Sequence, residues 1–128
     1  MFSFSKIERL CSKKSIDYLF AKGESKTQFP IKLIYTLSEF ESPFPVRAMF
    51  VVPKKKHKRA NQRNILKRRM REIYRLNKHD LYQAVTNSKY DIMFVYLSNE
   101  VCDYEAIKVK MIFLLNQLKE KIKQVEVI

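Results

Sequence analysis

The residues best equipped for chemistry lie between positions 54 and 75, KKKHKRANQRNILKRRMREIYR, where eleven Lys or Arg meet a single acid, Glu72. Eleven positive charges against one leave +10 of the chain's +13 in this stretch, so the rest is nearly balanced. Like charges at this density repel each other, and the arrangement implies a negatively charged partner. On a helical wheel at about 100° per residue, Arg63, Asn64, Lys67, Arg68, Arg71 and Arg75 share one face, while Leu66, Met70 and Ile73 form an apolar stripe opposite. Such a helix docks by its apolar side and presents guanidinium groups outward; the planar fork of arginine can pair two phosphate oxygens at once. A helix face that is merely solvated normally interleaves both signs, which favours a nucleic-acid or phosphate partner here. A membrane surface is the weaker polyanion, because the apolar stripe is narrow and is needed for the core.

No residues of an enzyme's own chemistry accompany this patch. The sequence holds no GxxxxGK loop, no HExxH and no paired carboxylates near a histidine, and its one glycine, Gly23, excludes a glycine-rich phosphate cradle. Cys11 and Cys102 lie far apart without a CxxC spacing, and neither His57 nor His79 stands at ligand spacing from them. They read as reduced thiols and, for His57, a surface imidazole in a basic loop. No catalytic residue and no metal site is expected on the chain.

The elements that must position the patch follow from periodicity. At 128 residues, with 46% hydrophobic and 12% aromatic residues, the chain is expected to form one folded domain, 1–128. Ile16, Leu19 and Phe20 predict a short helix over 13–22, with Ser12 as its cap and Gly23 as a left-handed terminator. FPIKLIYTL (29–37) and VRAMFVV (46–52) read as strands separated by the turn SPFP. The basic stretch opens as a loop and becomes helix near Asn61, continuing to about Leu81. NSKYD (87–91) reads as a turn, IMFVYL (92–97) as a buried strand, and 103–124 as a final helix with Ile107, Met111, Leu114, Leu115 and Leu118 inward. No apolar run approaches the roughly 18 to 20 residues of a membrane span. Lys6, Glu8 and Arg9 interrupt the start before a signal-peptide core could form. A soluble cytoplasmic protein is expected.

These residues resemble the protein subunit of bacterial ribonuclease P. The resemblance rests on Arg63-Asn64, Lys67-Arg68, Arg71-Glu72 and Tyr74, on VVPKKKHKRA upstream, and on LFAKGES and FPIKLIY earlier, and it covers nearly the whole chain. It implies an α+β fold: a two-layer α/β sandwich, a mixed sheet of about four strands with three helices, and a left-handed βαβ crossover against the usual hand. It also implies that a large catalytic RNA with bound Mg2+ removes the 5′ leader of precursor tRNA. The protein would carry no cofactor of its own, its basic helix contacting the RNA while a cleft between the first helix and the sheet holds the leader. The partners implied are that RNA and precursor tRNA, with no membrane and no obligate protein partner.

Carried over by position, Lys54, Lys55, Arg63, Asn64, Lys67, Arg68 and Arg71 match the RNA-contacting signature, and Lys58, Arg59 and Arg75 extend the same patch. Ile16, Phe20, Leu33 and Tyr35 match the leader cleft. For Phe20 and Tyr35, base stacking worth about 1–3 kcal/mol and ordinary core packing both stand open. Two positions depart from the family pattern: Ile65 stands where a third arginine is usual, and Ile16 where an aromatic is common, with Tyr18 as a substitute ring. A structural RNA-binding protein, such as a ribosomal component of similar fold, and a stand-alone nuclease are the rival readings.

Overall fold

Ile31, Leu33 and Tyr35 alternate with Lys32, Ile34 and Thr36 along a strand spanning Ile31–Ser38, and period two sends the two sets to opposite faces. That alternation organises the whole molecule. The computed structural model describes residues 3–126, and the outermost positions of the expected 1–128 domain lie outside the described residues. After a short 3-10 turn at Lys6–Glu8 the elements are α1 (Lys13–Lys22), β1 (Glu24–Gln28), β2 (Ile31–Ser38), β3 (Val46–Val51), α2 (Ala60–Asn77), α3 (His79–Ala84), β4 (Lys89–Tyr96) and α4 (Tyr104–Glu126). The strands form one mixed sheet in the order β1-β2-β4-β3. β1–β2 and β2–β4 are antiparallel and β3–β4 parallel, the last requiring a crossover that α2 and α3 supply.

One sheet face carries Ile31, Leu33 and Tyr35 of β2, Val46, Ala48 and Phe50 of β3, and Ile92, Phe94 and Tyr96 of β4. Against it pack Leu66, Met70, Ile73 and Tyr74 of α2, Leu81 of α3, and the α4 stripe from Ile107 to Ile122. Phe50 stacks on Phe94 with ring centroids 5.7 Å apart, and Tyr74 meets Phe50 edge-on at 5.7 Å. On the opposite face α1 docks, placing Leu19 and Ile16 against Ile34 and Met93, with Leu10 of the preceding segment in the same cluster.

Several expectations need correction. β1, ESKTQ, is the fourth strand that the resemblance implies and that periodicity does not reveal: it is a polar edge strand that exists through pairing with β2 rather than through apolar alternation. Gly23 is not left-handed, having φ −70° and ψ 147°. Its need for glycine is spatial: a Cβ would stand 2.5 Å from the Leu19 carbonyl oxygen and 2.7 Å from Ile34 Cγ2. The predicted turn at 87–91 is already strand from Lys89 onward.

The basic helix also ends earlier than expected, at Asn77, with α3 starting at His79, so the described residues hold four α-helices where three were predicted. At the break Lys78 turns inward, its Nζ donating to the Glu8 carboxylate and the Ser3 carbonyl. The Tyr82 hydroxyl donates to Glu8 Oε2 at 2.7 Å, and the Ser5 amide and hydroxyl donate to Oε1 at 3.0 and 3.1 Å. Burial pushes the Glu8 carboxyl upward, but the hydrogen bonds from Lys78, Tyr82 and Ser5 outweigh it and hold the group below its ordinary value. Burial likewise pushes the Tyr82 and Tyr74 phenols up, keeping both protonated.

Candidate nucleic-acid interface

Rotation of α2 about its axis is fixed by four fully buried side chains, Leu66, Met70, Ile73 and Tyr74. What faces away is therefore determined: Asn64, Arg68 and Arg71 are exposed, and Lys67 is half-buried along its stem. Among the described residues none of these four makes a side-chain hydrogen bond or ion pair inside the protein. Lys54, Lys55, Lys58 and Arg59 are exposed in the loop that leads into the helix. The ten predicted RNA contacts thus fall on one loop and the helix that continues it.

Two of the ten also have internal partners. Arg63 Nη1 donates to the carbonyls of His57 and Lys58, both at 2.8 Å, and so holds the loop against the first turn of α2. Arg75 pairs with Glu72, Nε to Oε2 at 3.2 Å, and this hydrogen bond draws the Glu72 carboxyl below its ordinary value. Arg69, absent from the predicted set, donates to the Cys102 carbonyl at 2.6 Å and ties α2 to the loop before α4.

His57 is not the surface imidazole that its lysine neighbours suggest; its side chain is buried. Nε2 lies 2.8 Å from the Ser98 carbonyl oxygen, and because a carbonyl only accepts, Nε2 carries the donated proton. The ring lies 5.6 Å from that of Tyr96. The Tyr96 hydroxyl in turn donates to the Glu100 carbonyl at 2.5 Å and accepts from the Cys102 amide at 2.9 Å. Burial first, then its link to Cys102, pushes this phenol up to about 12, so it remains a donor.

The expected leader cleft is only partly assembled from the residues assigned to it. Ile16 faces the sheet and Phe20 is exposed, at 59%, both on α1. Leu33 and Tyr35, at 0% and 4% exposure, point to the opposite face and belong to the core beneath α2 and α4. The reason is strand parity: α1 covers the Lys32, Ile34, Thr36 side of β2. Burial accordingly raises the Tyr35 phenol, with smaller contributions from Glu24 and Tyr90. Beside α1 the exposed side of the sheet offers Met49 and Val51 of β3 and Val95 of β4, half-buried residues that the sequence reading missed. Alternation within VRAMFV would have found the first two.

A further missed feature holds α1 in place. Arg47 and Asp91 form a two-pronged pair, Nε to Oδ1 at 2.8 Å and Nη2 to Oδ2 at 2.9 Å. Nη2 also reaches Ser15 Oγ at 3.3 Å, and the guanidinium lies 4.1 Å from the centroid of the Phe40 ring. The pair pins the first turn of α1 to β3 and β4.

Residues 4–119 match the family model described as Ribonuclease P. The chain is 32% identical over 109 residues to the ribonuclease P protein component of Porphyromonas gingivalis strain ATCC 33277, covering 84% of this chain and 80% of that one. It is 36% identical over 98 residues to the ribonuclease P protein component of Chlorobium phaeobacteroides, covering 74% and 67%. Among solved structures it is similar to the RNase P protein of Thermotoga maritima, with a TM-score of 0.68, 24% identity and coverage of 85% and 96%. The RNase P protein of Staphylococcus aureus gives 0.68, 18%, and 85% and 93%. The structural likenesses establish the four-stranded α+β fold.

Proposed function

We propose, given that this chain belongs to the ribonuclease P protein family, that it is the protein component of a ribonucleoprotein that matures the 5′ ends of tRNA, binding both the catalytic RNA and the leader of precursor tRNA. The observation that carries this reading is the α2 face, where Asn64, Lys67, Arg68 and Arg71 stand without side-chain partners among the described residues, on a helix locked by its buried stripe. Cations held this way lose little further freedom on meeting phosphates, and each phosphate contact releases condensed counterions. Lys54, Lys55, Lys58, Arg59, Arg63 and Arg75 extend the surface. Magnesium and bond cleavage belong to the RNA in this reading; the protein lowers repulsion between two polyanions and sets the register of the leader.

The leader surface is proposed as α1 and the sheet beside it: Ile16 and Phe20 with Met49, Val51 and Val95. Leu33 and Tyr35 support it from beneath rather than touch RNA. Phe20 has an open ring face suited to base stacking. The protein would work in the cytoplasm, with RNA as its obligate partner.

One reconstitution tests this: precursor tRNA cleavage at low magnesium by the catalytic RNA alone, the protein alone, and both. Cleavage that requires or is strongly enhanced by the protein is expected. Cleavage by the protein alone would indicate a nuclease in its own right. Binding to ribosomal RNA with no effect on precursor cleavage would indicate a structural RNA-binding protein.

A further inference from the structure

His57 is the one buried side chain between Pro53 and Arg59, and its neighbours Lys54, Lys55, Lys56, Lys58 and Arg59 are all exposed. Five cations in six positions repel one another, so a loop of this composition has no internal reason to hold one shape. Here it is held from three sides. The His57 imidazole donates to the Ser98 carbonyl, the Arg63 guanidinium clasps the carbonyls of His57 and Lys58, and the amides of Lys56 and His57 donate back to Pro53 at 3.1 and 3.3 Å. The receiving loop is itself ordered, by Tyr96 through Glu100 and Cys102, and by Arg69 through Cys102.

We propose that His57 is a positioning residue for RNA binding: its Nε2–H···O bond to Ser98 sets the loop lysines in fixed register with the α2 cations, so that loop and helix meet the RNA as one pre-shaped surface. The proposal rests on the functional reading above. Ordering the loop before binding removes an entropy cost that the RNA contact would otherwise carry. The side chain's chemistry makes the idea separable from simple packing. Glutamine places an amide N–H near the position of Nε2, asparagine reaches only the position of Nδ1, and phenylalanine fills the ring volume with no donor.

The experiment uses the full chain with His57→Gln, His57→Asn and His57→Phe, each alone and combined with Lys54→Ala/Lys55→Ala. Amide hydrogen exchange over residues 54–59 is measured on the free protein, and affinity on the cognate catalytic RNA transcribed in vitro. Exchange in His57→Phe and His57→Asn should accelerate about fivefold or more, and affinity should fall about three- to tenfold, the equivalent of one lost neutral hydrogen bond. His57→Gln should restore both, and the affinity loss should largely vanish once Lys54 and Lys55 are alanine. If His57→Phe does not fold, the Gln and Asn variants carry the same comparison.

Equal behaviour of all three variants overturns the proposal. So does an affinity loss that persists without the two lysines, or faster exchange with unchanged RNA affinity. Failure of the unmutated protein to bind the RNA would overturn the functional reading instead.

Discussion

Lysine and arginine serve opposite ends in two regions of this molecule. On α2, Lys67, Arg68 and Arg71 face outward with no partner among the described residues; at the α2–α3 junction and on the sheet, Lys78 and Arg47 are drawn inward onto Glu8 and Asp91. Residue type does not separate the two groups. Acids do: Glu8 is fully buried and Asp91 nearly so, and each buried carboxylate recruits a cation because an uncompensated charge there is costly. The α2 face has only Glu72, which Arg75 occupies. Cations held neither by an acid nor, as Arg69 is, by a backbone carbonyl are the ones left for an external polyanion.

The sharpest way to break the comparison is to move a residue from one group to the other. Lys78→Met strands Glu8 in the interior and should cost about 3–5 kcal/mol in urea unfolding, while leaving the salt dependence of RNA binding unchanged. Combining it with Glu8→Gln should recover part of the loss. Because Glu8 is held below its ordinary value of 4.5, its stabilisation is complete above that pH and disappears as pH falls through the lower, folded value. The stability gap between wild type and Glu8→Gln should therefore narrow below about pH 4.5.

A second test separates the two sides of β2. Leu33→Ala, at a fully buried position, should destabilise the fold by about 2–5 kcal/mol yet leave discrimination between long and short leaders intact in whatever protein remains folded. Phe20→Ala on exposed α1 should do the reverse, leaving the urea midpoint in place and weakening precursor with a leader relative to mature tRNA by up to about 1–3 kcal/mol if the ring stacks. Equal loss for precursor and mature tRNA would remove Phe20 from the leader surface. A smaller effect is expected on the ridge itself. Arg68→Ala should leave the urea midpoint unmoved and reduce the log–log salt slope of RNA binding by about one unit or less; an unchanged slope would show that Arg68 touches no phosphate.

The ridge was legible in the sequence because two signals coincide there: an apolar stripe at helical spacing fixes which way the helix turns, and the charge run then has one face to occupy. The cleft was less legible. FPIKLIY has apolar residues on both parities, Ile31 and Leu33 on one side and Ile34 on the other, and nothing local says which side receives α1. Tertiary packing made that choice and placed Leu33 and Tyr35 in the core. β1 carried no apolar alternation to detect, since ESKTQ becomes strand only by pairing with β2. Lys78 and His57 were hidden for a common reason: each is a polar residue of a type normally exposed, His57 inside the basic run and Lys78 just beyond it, and the group that makes its burial tolerable, Glu8 or the Ser98 carbonyl, lies far away in sequence.

The smallest predicted effect is the most specific to the ridge. Glu72 is the one acid between positions 54 and 75, and its partner Arg75 is a surface residue, so the pair contributes little to folding. Glu72→Gln should leave thermal stability unchanged. It should, however, free the Arg75 guanidinium from its carboxylate and raise the local charge by one, so RNA affinity should increase at low salt, with the gain shrinking as ionic strength rises. Should Glu72→Gln instead weaken binding at every salt concentration, the carboxylate would be holding Arg75 in the orientation the RNA needs. Glu72 would then sit with His57 and Arg63 among the residues that shape the surface, rather than stand as the lone charge opposing it.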